Sequence, residues 1–524
     1  ATVVMEKELR QFVTKNVFHP VLMRGLSRQQ RMRILPSKMF LKEKYFPNGD
    51  FDKLKARLVA GGHRQDRSLY REEDTSSPTA AQCSVMSVCA IAASEGRQVA
   101  CCDIGGAFLN ANMPKDGVKV LVRIDRTLSE MLINMFPDDY KSFATETGEL
   151  VVELDRAMYG CVEAAKLWFD TIRNKLLDMG FTQNDYDLCV FNRVKNDGPQ
   201  CTIVLHVDDM LITCEDAGVI SSVIGDILKS YPDTKYQLGP ILPYLGMDLD
   251  FSTEGEVRIT MDGMVNDILA KSGVTGTAPT PATETLFEVD PSCPPADKDE
   301  AIWFHQNAAK LLYLCKRVRP ECLTTVAFLS TRVTKADKDD LGKLKRVLRY
   351  LSGTKGRGVC LRPGQLGVRV RAYIDAAYGV HEDGKSHTGC AIVIGEAGAT
   401  FVLSGKQSIV TKSSTEAEMV ATSDSCSQAF HVRNFIVAQG HDDKPAEILQ
   451  DNLSCMALLK KGRSTAMRTR HIKIRYFWVT DRLKQGEGVM LHVSTEDMGP
   501  ANILTKPVQG AQFVKERQAL TNWD

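Results

Sequence analysis

The feature that most restricts the fold is the pair Asp208-Asp209, set between apolar runs at 201–207 and 210–213. Runs of that length predict two strands, and the two residues between them predict a tight hairpin. A strand points successive side chains to opposite faces, so only a turn can bring both carboxylates to one site. Adjacent carboxylates at the ends of buried strands are costly unless water or a cation meets them. An isolated Asp-Asp is usually a solvated turn. Here a third acid, Asp103, ends the apolar run 98–104 and is followed by Gly105-Gly106. Three carboxylates on neighbouring strand ends form a hard oxygen set suited to Mg²⁺. Two such ions about 4 Å apart can activate a hydroxyl and steady a leaving pyrophosphate. The basic strand Lys53-x-Lys55-x-Arg57 can neutralise a triphosphate, with Arg57 bidentate.

A second acidic set lies downstream. Asp375 ends a strand, Asp451 follows one, and Glu418 is one turn into a helix whose Ser413 and Glu416 are spaced as a capping box. Acids 43 and 33 residues apart on strand, helix and strand suit another two-metal centre. The plain alternative is exposed carboxylates at element ends. Lys and Arg number 66 against 65 Asp and Glu, so net charge excludes nothing. Its distribution says more: residues 1–71 carry a surplus of +10, 330–371 of +9 and 460–484 of +8. Three separated basic stretches predict a polyanion track, against the alternative of solvated helix faces.

No apolar run in the 524 residues approaches a bilayer span, and no signal peptide opens the chain. The missing initial Met is expected of a piece of a longer product. The 15 cysteines, odd in number and without a C-x-x-C pair, point to free thiols in a reducing compartment. The Pro-rich stretch 275–295 reads as a linker or extended connection, and 361–367 as a weaker break. Helical spacing appears at 164–179, at 303–316, 320–333 and 339–352, and at 414–439. Strands alternate with helices in the first and last parts, which predicts α/β or α+β layers.

These features fall within an ordered series of motifs. Phe51-Asp52-Lys53-Leu54-Lys55-Ala56-Arg57-Leu58-Val59-Ala60-Gly61-Gly62 comes first, then Cys102-Asp103-Ile104-Gly105-Gly106-Ala107-Phe108-Leu109-Asn110. Leu154-Asp155-Arg156-Ala157-Met158-Tyr159-Gly160-Cys161 with Trp168-Phe169, His206-Val207-Asp208-Asp209-Met210-Leu211-Ile212 and Tyr244-Leu245-Gly246-Met247 follow. Arg319-Pro320-Glu321, the basic run 345–354, Tyr373-Ile374-Asp375, Ser413-Ser414-Thr415-Glu416-Ala417-Glu418 and Asp451-Asn452 come next. Arg468-Thr469-Arg470-His471-Ile472 and Ile503-Leu504-Thr505-Lys506-Pro507 complete the series. Over nearly the whole chain the series resembles the reverse transcriptase and ribonuclease H part of the Pol polyprotein of copia-type LTR retrotransposons.

The resemblance implies a multidomain α+β and α/β fold. Fingers and palm of a right-hand polymerase would occupy 1–240, and thumb and Pro-rich linker 241–295. A helical connection would occupy 296–365 and an RNase H-like domain 366–524. It implies copying of RNA, then DNA, into DNA, and hydrolysis of the RNA strand of the hybrid, both by two-metal catalysis. Asp103, Asp208 and Asp209 would hold the polymerase metals. Asp375, Glu418 and Asp451 would hold those of the nuclease, with Asn502 where a fourth carboxylate is usual. The ions would be Mg²⁺, two per site, with Mn²⁺ as a substitute. Arg57 and Lys55 would meet the triphosphate, Phe108 would bar a ribose 2′-hydroxyl, where the sequence alone favours a core aromatic after a strand, and Gly160 would lie in the substrate motif. Partners would be an RNA template, a DNA primer, RNA–DNA hybrid, dNTPs and other Gag and Pol products, with no membrane. The location would be cytoplasmic, in a virus-like particle.

Several positions depart from the family pattern. Asn502 carries no charge, and Glu496 and Asp497 stand near enough to substitute. Glu163-Ala164-Ala165 replaces a Gln-Ala-Pro, and Ala376-Ala377 follows Asp375 where a second acid is common. His471 reads as a phosphate contact in a basic loop, against the alternative of a catalytic histidine. The rival reading is a decayed or domesticated element that binds nucleic acid with its nuclease half inactive. A retron or intron enzyme would leave 367–524 unexplained.

Overall fold

The computed structural model describes the chain except residues 46–50, 196 and 462–477. Its frame is a six-stranded antiparallel sheet in the order Lys235–Leu238, Gln98–Asp103, Asp209–Cys214, Cys201–His206, Val190–Arg193, Thr182–Gln183. Alternate residues of these strands enter two different cores. Cys102, Leu205 and Met210 pack in one core with Trp168 of helix Ala164–Asp178 and Ile220 of helix Ala217–Ser230. Val99, Val204 and Leu211 enter the other, with Val85 and Cys89 of helix Gln82–Ser94. Burial on both faces is why these strands read as continuous apolar runs instead of alternating ones.

A second sheet, in the order Phe18–Pro20, Leu150–Leu154, Leu121–Ile124, Leu35–Tyr45, Phe51–Ala60, ends in a long hairpin formed by its last two strands. A third combines Ile241–Tyr244, Met247–Asp250 and Val257–Thr260 with the distant Val359–Leu361. Between these lie helices Lys298–Cys315, Leu323–Ser330 and Lys338–Gly353. The helix expected over 320–333 is shorter, because Pro320 opens a 3₁₀ turn, Pro320–Cys322, before it.

The Pro-rich stretch has neither helix nor strand, yet it is not a free tether. Leu286 is fully buried. Arg346 donates to Thr280 Oγ1 at 2.9 Å, Arg349 to the Thr275 carbonyl at 3.2 Å, and Gln509 to the Ala282 carbonyl at 3.0 Å. The stretch is an extended connection held from both sides.

The fourth sheet runs Ala399–Lys406, His387–Ile394, Val370–Ala377, Ala446–Gln450, Gly488–His492. Its first three strands are antiparallel and the last two join in parallel. Helix Ser414–Ala438 packs across it. Ser413 accepts the Glu416 N–H at 3.2 Å, but Glu416 turns to the Lys412 N–H at 2.7 Å, so the expected capping box is half formed. Among the described residues no helix is long and apolar enough to cross a membrane.

Candidate active site

The central hairpin turns at Val207-Asp208, with Asp209 opposite His206 on one side and opposite Asp103 on the other. Val207 has φ +58°, which strains a β-branched residue. Two hydrogen bonds hold the turn there. Trp168 Nε1 donates to the Val207 carbonyl at 2.6 Å, and the Ile104 N–H donates to the Asp208 carbonyl at 3.0 Å. Three carboxylates thereby share one end of the sheet. Burial, then the charges of Asp208 and Asp103, push the Asp209 carboxyl up to about 6. Burial also raises Asp208, with Asp103 adding to the rise while Arg57 and Lys55 oppose it. Crowded acids of this kind are relieved by a bound cation.

Lys55 and Arg57 line the exposed side of strand Phe51–Ala60, alternating with buried Ala56 and Leu58. The Arg57 guanidinium stands 4.3 Å over the Tyr159 ring. Tyr159 in turn packs on Phe108, with ring centroids 5.3 Å apart and planes at 58°. Phe108 is half-buried in a 3₁₀ turn that Gly106 opens at φ +63°.

The second acidic set is tighter. Among the described residues, Asp375, Glu418 and Asp451 form the cluster whose ligand atoms all lie within 4.8 Å of one another. Ala376 N–H donates to Glu418 Oε1 at 3.2 Å and Gln450 Nε2 to Oε2 at 3.3 Å. Thr495 Oγ1 donates to Asp451 Oδ2 at 2.9 Å. Burial, then Asp375 and Asp451, raise the Glu418 carboxyl to about 9. Asp375 Oδ2 accepts the Thr505 hydroxyl and pairs with the Lys506 ammonium, the latter at 3.1 Å.

Residues 27–285 match the family described as reverse transcriptase (RNA-dependent DNA polymerase). The chain is 26% identical over 467 residues to the retrovirus-related Pol polyprotein from transposon TNT 1-94 of Nicotiana tabacum, covering 88% of this chain and 33% of that one. It is 27% identical over 479 residues to that from transposon RE1 of Arabidopsis thaliana, covering 90% of this chain and 30% of the other. Over residues 27–285 the chain is a copia-type reverse transcriptase region. It spans about a third of the length of these curated relatives. In fold it is similar to a foamy viral protease-reverse transcriptase solved with double-stranded DNA, at a TM-score of 0.51 and 10% identity, covering 93% of this chain and 69% of that one.

Other positions take roles that spacing does not reveal. Gly160 is accounted for by packing: at φ +90°, a Cβ there would lie 2.2 Å from the Ala60 carbonyl oxygen. Glu163 is buried, its carboxylate taking Gln65 Nε2 at 2.9 Å and the Tyr70 hydroxyl at 3.1 Å, so it presents no surface to a template. Asn502 spends Nδ2 on the Thr495 carbonyl at 3.0 Å and Oδ1 on Lys506 at 3.3 Å. Its amide oxygen therefore faces an ammonium. Asp497 takes the Ser494 hydroxyl at 2.7 Å, and neither it nor Glu496 joins the acidic cluster. In the basic stretch 330–371, Arg332 pairs with Asp337 and Asp340, and Arg346 and Arg349 hold the Pro-rich connection. Lys345 is exposed. The motif 468–472, with His471, lies outside the described residues, as does the middle of the basic stretch 460–484. Tyr159 and Lys506 stand inside quoted motifs, but Arg57 and Phe108, which Tyr159 meets, and Asp375, which Lys506 meets, are distant in sequence, so spacing alone does not single the two residues out.

Proposed function

We propose that the chain is an RNA- and DNA-directed DNA polymerase of a retrotransposon, and that its C-terminal part cleaves the RNA strand of RNA–DNA hybrids. The observation that carries the reading is the convergence of Asp103, Asp208 and Asp209 at one strand end, within electrostatic reach of Lys55 and Arg57. In this reading residues 1–240 are fingers and palm, 241–295 thumb and connection strap, 296–365 the helical connection, and 366–524 an RNase H-like domain. Its partners are template RNA, a DNA primer, the hybrid, dNTPs and the element's other products. A cytoplasmic, reducing setting, within a particle, belongs to the same proposal and accords with 15 free cysteines.

Both acidic sets offer only carboxylate oxygens, the donor type that hard divalent cations prefer. Asp103, Asp208 and Asp209 would hold two Mg²⁺ ions, as would Asp375, Glu418 and Asp451. Bound there, the ions supply nucleophile activation and charge neutralisation at the leaving oxygen. The remaining work falls to the protein. Lys55 and Arg57 bind the triphosphate, Arg57 by paired N–H donors. Phe108 occupies the space that a 2′-hydroxyl would need. Trp168 and Ile104 hold the strained turn, so the carboxylates do not reorganise as the nucleotide arrives.

The test is primer extension on an RNA template, with hybrid cleavage read in the same tube. Asp208→Asn and Asp209→Asn are expected to abolish extension while hybrid binding persists, since basic residues supply ground-state affinity. Substantial extension by both variants would refute the polymerase centre. A second reading, in which the C-terminal part holds the hybrid without cutting it, is favoured by one observation: Lys506 lies between Asn502 and Asp375. It predicts extension without cleavage in the native protein.

A further inference from the structure

We propose that Tyr159 is a positioning residue that couples sugar selection to triphosphate binding. The inference rests on the roles given above to Phe108 and Arg57 and goes beyond them. One face of the Tyr159 environment is the Arg57 guanidinium, 4.3 Å from the ring centroid. On another side is Phe108, 5.3 Å away and tilted by 58°. A single ring thus stands between the group that meets the phosphates and the group that meets the sugar.

The ring cannot drift, because its backbone is docked on the strand that carries Arg57. The Ala60 N–H donates to the Tyr159 carbonyl at 2.8 Å. The next residue, Gly160, adopts φ +90°, and its carbonyl oxygen approaches to 1.9 Å of where a Cβ on Gly62 would stand. Both glycines are required for that contact, since any side chain would drive the loop from the strand. Strand and loop therefore move as one body, and the distance from Arg57 to Phe108 is set through Tyr159. Arg57 lies on the exposed side of its strand, so without the aromatic face its long side chain would sample many rotamers. Without the ring, Phe108 would lose its tilted neighbour and could turn away from the sugar.

Each contact is modest. A cation–ring contact at a solvent-facing site corresponds to about a 2- to 5-fold effect on binding. An aromatic pair corresponds to about 2- to 12-fold. The expected signature is therefore a joint one. Tyr159→Leu raises the KM for dNTP by about 2- to 5-fold and raises the rNTP-to-dNTP ratio of kcat/KM by about 2- to 12-fold. Tyr159→Phe keeps the ring and restores both toward the native values. Phe108→Val is expected to raise the ratio with less change in KM, and Arg57→Lys to raise the KM with less change in the ratio.

The assay is single-nucleotide incorporation by the full chain on a primed RNA template, with dNTP and rNTP titrated separately. Equal loss of kcat for both nucleotide classes in Tyr159→Leu, with ratio and KM unchanged, would overturn the inference and leave Tyr159 as packing only. If Tyr159→Leu fails to fold, Tyr159→His retains a smaller ring and is expected to shift both quantities in the same directions. An unchanged ratio and KM there would equally overturn the inference. If Phe108→Val leaves the ratio unchanged, the gate role of Phe108 fails. A Tyr159→Leu that still shifts the ratio then assigns selection to Tyr159 itself, and one that does not overturns the inference.

Discussion

Acid is expected to loosen the C-terminal part through a buried histidine pair. His387 is fully buried and His381 is 5% exposed, with their ring nitrogens 3.0 Å apart. His387 Nε2 lies 2.8 Å from Ser404 Oγ, and Ser404 donates its hydroxyl to the Leu504 carbonyl at 2.7 Å. With that hydrogen committed, His387 Nε2–H must donate to Ser404, and its Nδ1 must accept from His381. A proton added to Nδ1 would set two N–H groups against each other. Phe287 packs on both rings. Burial, reinforced by His381, holds His387 down at about 3. Burial holds His381 at about 4, with Lys406 and Lys385 adding to the drop and Asp383 opposing it. Both values lie below the ordinary 6.5, so the unfolded chain takes these protons first. Stability is therefore complete above about 6.5 and is lost as pH falls from there toward 3–4. At pH 5 the unfolded histidines are protonated over about 1.5 units, worth about 2 kcal/mol each and about 4 for the pair. That is a large part of the roughly 5–15 kcal/mol of a typical domain. Urea unfolding at pH 8 and pH 5 measures it. His387→Gln, whose amide can donate and accept but does not titrate, is expected to shrink the difference between the two pH values by about 2 kcal/mol. The same pH sensitivity in variant and native protein would refute the reasoning.

Three further outcomes follow from the geometry. Lys345→Ala is expected to lower the salt slope of hybrid binding by roughly 0.7–0.9, whereas Arg346→Gln leaves the slope and costs about 1 kcal/mol in thermal unfolding, because Arg346 binds Thr280 instead of a phosphate. Asn502→Asp is expected to draw Lys506 from Asp375 and to lower the Mg²⁺ needed for hybrid cleavage, with extension unaffected; a Mg²⁺ titration on labelled hybrid reads it. Glu321→Gln is expected to destabilise the protein by about 3 kcal/mol, since Arg319, 1% exposed and 2.8 Å from Glu321, would be left a buried charge without its carboxylate; chemical unfolding measures the loss.

The hairpin was legible in the sequence because its cause is local. Apolar runs long enough for strands flank the polar pair Asp208-Asp209, but the turn falls one residue earlier than that pair, at Val207-Asp208, because Asp209 pairs with His206 and Asp103 and so begins the second strand. Helix Ser414–Ala438 was legible for the same reason, with Ser413 marking its start. The ordered motifs likewise place Asp103, Asp375, Glu418 and Asp451 at element ends. Tertiary structure decided how the polar groups spend their hydrogen bonds. Nothing near Glu163 in sequence announces that Gln65 and Tyr70 will bury it, and a run of basic residues does not say that Arg346 and Arg349 face a strap some 70 residues upstream while Lys345 faces solvent. The same holds for Lys506 between Asn502 and Asp375, and for Tyr159 between Arg57 and Phe108. Periodicity and polarity report which face of an element is buried, because burial repeats along the chain. A side-chain donor finds its acceptor once, across elements brought together only by the packed core, and that single pairing leaves no period to read.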